Sequence, residues 1–158
     1  VHMHKKFLLS LMGFFIISII LTGCSSAKDA ISGEDFTNSL KKHGYIITDE
    51  SDKYEEFTTS YINGNDADTE TVFLFVDFKE EANATSFFES MHSQLHGVEH
   101  NSKDADNVED RIANYQYQEL TADDYFYRII KVEDTILYLQ TPSENKSEAM
   151  AIVDELGY

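Results

Sequence analysis

The sequence predicts an α+β domain, with antiparallel strands gathered into one sheet or two small ones and helices packed on one face. Three observations carry this. Apolar stretches of strand length come in runs, separated by stretches of helical period, which is the α+β pattern rather than strict alternation. Nine tyrosines and eleven phenylalanines favour strands. Between residues 112 and 141 three such stretches follow one another through tight turns, as in a meander. With 158 residues and 42% hydrophobic content, the chain suits one core-bearing domain with appendages and is too apolar for disorder.

Taken in order, "ISGEDFTNSLKKHGY" predicts a helix over 33–43. Ser32 caps it, Asp35 completes a capping box, and Ile31 and Phe36 occupy the staple positions. Gly44 stops it. "YIIT" (45–48) and "YEEFTTSYI" (54–62) read as strands. "NGND" (63–66) reads as a turn, and "TVFLFVDF" (71–78), apolar on both faces, as an interior strand. A second helix is predicted from an Asp77 N-cap, with Glu80 three residues on. Ala84, Phe87, Phe88, Met91 and Leu95 form its apolar stripe, and Gly97 closes it. "VEHNSKDADNVED" (98–110) reads as a polar, acidic loop.

Three strands follow: "RIANYQYQEL" (111–120), "YFYRIIKV" (125–132) and, after a turn at Glu133-Asp134, "TILYLQ" (135–140). Thr141-Pro142-Ser143-Glu144 opens the last helix as a capping box with Pro at the first helical position. Ala149, Ile152, Val153 and Leu156 form its stripe. The order is therefore α-βββ-α-βββ-α over a single domain, 32–158. "HGY" (43–45) and "LGY" (156–158) sit at matching places and hint at a weak βββα duplication.

Residues 1–23 are different. "VHMHKK" is short and basic, and Phe7–Leu21 is an uncharged apolar run of fifteen residues. That is the length of a signal-peptide core and short for a span of about 20 residues. Leu21-Thr22-Gly23-Cys24 follows, and then the chain turns polar. This leader resembles that of bacterial lipoproteins, whose lipobox it matches. The resemblance implies a cleaved signal peptide at 1–23, a diacylglycerol on Cys24, the chain's only cysteine, and a lipidated tether over 24–31. Two acyl chains hold a protein stably in a bilayer where one does not. The implied location is the extracytoplasmic face of the cell membrane in a Gram-positive host, or the outer membrane in a double-membraned one. The mature chain then has no thiol and no disulfide.

The net charge is −17, from 12 bases and 29 acids. Such a surface repels phosphate backbones, so no nucleic-acid partner is expected, and it repels anionic headgroups as well. No nucleophile elbow, P-loop or dinucleotide turn is present, so neither an enzyme nor a cofactor is expected. "NGNDADTE" and "DADNVED" fail the calcium-loop pattern. Glu89, His92 and His96 fall on one flank of the second helix. Two imidazoles and a carboxylate can hold a divalent metal, although the spacing is not H-E-x-x-H and the alternative is a pair of solvated surface histidines. Tyr115, Tyr117, Tyr125, Tyr127 and Tyr138 lie along the meander and form one aromatic patch if their strands share a register face. Arg128 lies among apolar neighbours and is expected to meet a carboxylate, of the protein or of a ligand.

These features lead to an expectation of a lipid-anchored, non-catalytic module that binds a protein or envelope ligand through the tyrosine face. The alternative is a domain that captures a metal or small ligand at the His92/His96 flank. A hydrolase of envelope material is the third reading.

Overall fold

The computed structural model describes residues 27–158. Its elements are α1 (Gly33–Lys42), β1 (Ile46–Asp49), a 3₁₀ turn (Ser51–Tyr54), β2 (Thr58–Asp66), β3 (Thr71–Phe78), α2 (Glu81–Asn101), β4 (Ala105–Ile112), β5 (Tyr115–Ala122), β6 (Tyr125–Val132), β7 (Thr135–Pro142), a second 3₁₀ turn (Ser143–Asn145) and α3 (Lys146–Glu155). The α+β class stands. All seven strands form one antiparallel sheet in the order β1-β2-β3-β7-β6-β5-β4. No described helix is long and apolar enough to cross a membrane. Cys24, its lipobox residues Leu21, Thr22 and Gly23, and the 1–23 leader lie outside the described residues.

The helices pack on both faces of the sheet, not on one. Strands β3 and β7 pair with Phe73 opposite Leu139 and Val76 opposite Ile136. Pleating sends Phe73, Phe75, Leu137 and Leu139 to one side, where α1 and α3 bring Phe36, Leu40, Ile152 and Val153. It sends Val76, Ile136, Leu74 and Tyr138 to the other side, where α2 brings Ala84, Phe88 and Leu95. Strands apolar on both sides leave neither face to water, because each exposed side would forgo about 25 cal/mol per Å² of burial.

The same geometry removes a symmetric duplication. Units joined by antiparallel β3–β7 pairing are related by a two-fold perpendicular to the sheet, which would place their trailing helices on one face. Helices α2 and α3 lie on opposite faces. What does recur is the helix stop. Gly44 and Gly157 both have φ +84°. The amides of Tyr45 and Tyr158 reach back to the carbonyls of Leu40 and Val153, each at 3.1 Å, so both helices end in a Schellman motif.

Several boundaries differ from expectation for local reasons. Residues 105–110, expected as part of a loop, join Arg111 and Ile112 in strand β4 at the sheet edge, and the single strand expected over 111–120 is broken by a turn before β5, so four strands rather than three follow α2. The side chains of β4 are almost all exposed, so it carries no hydrophobic alternation to read. Asn63–Asp66 is not a turn but strand, paired with Thr71–Leu74. Gly64 serves packing there, because a Cβ on it would run into Cδ1 of the buried Leu40. Asp77 belongs to β3, opposite Thr135, and α2 begins without a side-chain cap. That helix also runs through Gly97, a surface position where the cost relative to Ala is about 1 kcal/mol, and carries Val98 onto the core. Thr141 does not cap α3; its hydroxyl is buried in β7 and bonds that of Thr71 at 2.8 Å.

The described part of the expected 24–31 tether is not free. The Lys28 amide donates to Asn114 Oδ1 at 3.0 Å, and Asn114 Nδ2 donates to the Lys28 carbonyl at 2.8 Å. The Ile31 amide donates to the Tyr158 hydroxyl at 3.4 Å. At the head of α1 the Ser32–Asp35 capping box is formed in both directions.

The contact at Gly64 gives a direct test. Gly64→Ala forces Leu40 off its site and is expected to cost about 1–3 kcal/mol, as overpacking does. Urea unfolding followed by circular dichroism reads it; an unchanged midpoint would show that α1 does not rest on this strand.

Candidate metal centre on the flank of the second helix

Helix α2 is fixed across the sheet at both ends. In its first turn Glu81 accepts from the buried Lys131 of β6 at 2.8 Å. Past its last turn the Ser102 hydroxyl donates to Asp123 at 2.8 Å. Between these points Phe88 and Leu95 are buried, which turns the neighbouring flank, with His92 and His96 one turn apart, toward strand β4. Register does the rest. Glu109 pairs with Gln118, and Gln118 is buried on the side of the sheet that α2 covers. Glu109 therefore points at the two imidazoles.

The three groups converge. His92 Nε2 lies 2.5 Å from Glu109 Oε2, and His96 Nε2 lies 3.8 Å from the same oxygen. One ligand atom from each residue falls within 4.8 Å of the others. The rings stand nearly perpendicular at 86°, 4.5 Å apart, and His92 stacks on Phe88. A second layer orients His96. Its Nδ1 bonds Glu99 at 2.8 Å, Glu99 accepts from Asn107 at 3.1 Å, and Asn107 accepts from Gln118 at 3.0 Å. This leaves Nε2 as the nitrogen aimed at Glu109. A carboxylate behind an imidazole is the usual support of a metal-binding histidine. Tetrahedral zinc with bonds of 2.0–2.2 Å spaces its ligand atoms about 3.3 Å apart. The 3.8 Å separation is close to that, the His92–Glu109 contact has to open by less than about 1 Å, and the two imidazole nitrogens, within 4.8 Å of each other, have to close by up to about 1.5 Å.

The carboxylate that converges on the two imidazoles is Glu109, not the Glu89 grouped with them in the sequence. Glu89 lines the adjoining groove but stands outside the converging set. Glu109 and Glu99 were missed together, because 98–110 reads as a loop. Had Gly97 been taken as an interior helical glycine, Glu99 at three residues beyond His96 would have been visible.

The tyrosines do not share a face. Tyr115 and Tyr117, with ring centroids 6.5 Å apart, pack beside the core under α1 and α3. Tyr127 and Tyr138 pack beside the core under α2, and Tyr125 follows Tyr127 on that side, with its hydroxyl on Glu70 at 2.9 Å. The single aromatic patch is therefore not formed. Arg128 lies on the Tyr117 side, over that ring at 5.2 Å, and ion-pairs with Glu119, its cross-strand neighbour.

No protein family, curated protein or solved structure matches the chain.

Burial beneath α2 pushes the Tyr138 hydroxyl from 10.0 up to about 12. Between those values the unfolded chain releases a proton that the folded one keeps. The group's stabilising effect is thus complete below about pH 10 and is lost as pH rises toward 12. Phenolate absorbance should show wild type minus Tyr138→Phe titrating near 12; a midpoint near 10 would place the ring in solvent.

Proposed function

We propose that this protein is an extracytoplasmic, lipid-anchored domain that captures a divalent transition metal. The observation that carries the reading is the convergence of His92, His96 and Glu109, drawn from a helix and a strand, with Glu99 behind His96. Two imidazoles and one carboxylate suit zinc and its neighbours and do not suit calcium or magnesium, which take oxygen shells. Three protein ligands leave a coordination position open. Their side chains are 32%, 42% and 50% exposed, so the centre is wet. Metal catalysis relies on a dry, shaped cavity, and this favours capture over hydrolysis. The split of the tyrosines between two faces is the reason to prefer this reading to an aromatic docking surface.

The anchor is the lipid on Cys24 inferred from the leader. Lys28 is held against Asn114. With an extended chain spanning at most about 3.6 Å per residue, the β4–β5 turn then rides within about 20 Å of the lipidated sulfur.

Zinc titrated into the purified protein should bind at one site by calorimetry. His92→Ala and Glu109→Gln each weaken it more than about tenfold, and Glu99→Gln by about 10–100-fold, the usual effect of losing an outer partner. Glu89→Gln binds as wild type does. Equal heats from wild type and His92→Ala end the metal reading. For the anchor, cells fed a palmitate analogue should label wild type and leave Cys24→Ser unlabelled in the soluble fraction; label on the Cys24→Ser chain would remove it.

A further inference from the structure

Beside the three ligands runs a groove of about 330 Å³, lined by Phe88, Glu89, His92, Glu109, Arg111 and Gln116 among others. Arg111 is placed two residues after Glu109 on the same side of β4, about 7 Å along the strand. The chain has two arginines and 29 acids. Arg128 is ion-paired with Glu119. Arg111, among the described residues, gives its bonds to an uncharged amide: Nε and Nη2 donate to Gln116 Oε1 at 3.0 and 2.6 Å. A guanidinium has five donor hydrogens in a planar fork. The Gln116 clamp fixes that plane and uses one edge of it, leaving the Nη1 side and the outer Nη2 hydrogen for something else. Arg111 is exposed, so its free donors face the groove and water and are open to a carboxylate from outside the chain.

We propose that the groove takes the metal together with a small free carboxylate, one end of which fills the open coordination position while the other lies on Arg111. This rests on the metal-capture reading above. A dicarboxylate of four or five carbons matches the rise of about 7 Å between Glu109 and Arg111 along the strand and the groove, which is near the lower end of ligand-site volumes. Charge sets the order of binding. Glu89, Glu109 and Asp110 line the metal-free groove against the single charge of Arg111, and an anion is repelled. A bound dication cancels that excess and removes the repulsion, so the carboxylate follows the metal. Charge-assisted bonds of an arginine fork are directional and strong for their kind, which gives the open position a preference for carboxylate over water or chloride.

The test uses succinate, which chelates zinc only weakly by itself, titrated by calorimetry into protein whose zinc content has been measured. Zinc-loaded wild type should bind succinate at one site. Zinc-loaded Arg111→Gln should bind it more than about tenfold more weakly, with Arg111→Lys between the two, as expected when a fork is replaced by a point charge. Metal-free wild type should give no heat. Equal affinity in wild type and Arg111→Gln, binding to the metal-free protein, or zinc uptake with no succinate uptake would each overturn this proposal alone. Absence of any zinc uptake would overturn it together with the capture reading.

Discussion

The pairing of β3 with β7 is the constraint on which the rest of the molecule depends. Each strand is followed by a helix, and each is apolar on both sides: Phe73, Phe75, Leu137 and Leu139 on one, Val76 and Ile136 on the other. A sheet with such a centre has to be covered twice. The first cover comes from α1 and α3, two ten-residue helices that shield β2, β3 and β7. The second comes from α2 alone. One helix covering a broad sheet has to be long and has to cross it, and α2 runs 21 residues. Its length brings His92 and His96 out to β4, the strand farthest in sheet order from β1. The candidate centre is thus a consequence of how the second face is closed.

What the sequence disclosed and what it hid follow the same division. Elements whose side chains meet the core were readable to within a residue or two: α1 with its capping box, β3, β6 and the Glu133-Asp134 turn all carry periodic apolar residues or cap chemistry. Strand β4 carries neither. It is held along one edge by main-chain bonds and polar side-chain contacts such as Arg111 with Gln116, with exposed acids and Val108 in the water, and hydrogen bonds between main chains leave no trace in side-chain pattern. The candidate centre was half legible for that reason. His92 and His96 sit on a helix whose stripe fixes their flank, whereas Glu109 depends on a strand that only its partner β5 defines. The tyrosines erred in the opposite sense. Alternation was read correctly within each strand, but which face a strand turns to the core depends on register with its neighbours, which a single strand does not encode.

Edge placement also explains why polar groups can gather here without weakening the core. Of the network that supports His96, only Gln118 is fully buried; Glu99 and Asn107 are half-buried and keep access to water. Desolvation, the main cost of polar clusters, is therefore small for these two and falls on Gln118, whose Oε1 is buried without a partner among the described residues. The arrangement differs from the interior of the sheet, where the buried Lys131 needs Glu81 and the Thr71 hydroxyl needs Thr141.

The acidity of the chain and the chemistry of the three ligands then act at different ranges. A net charge of −17 raises the concentration of every cation near the surface, sodium and magnesium included, and salt screens it beyond about 8–10 Å. It has no means to choose among ions of equal charge. Choice comes at contact, where imidazole nitrogen favours later first-row metals over hard cations, and where Glu99 fixes which nitrogen of His96 is presented. A surface of carboxylates alone would collect ions without sorting them. Under the capture reading proposed above, two imidazoles set where a helix flank meets an acidic edge strand would sort what the field has already drawn in.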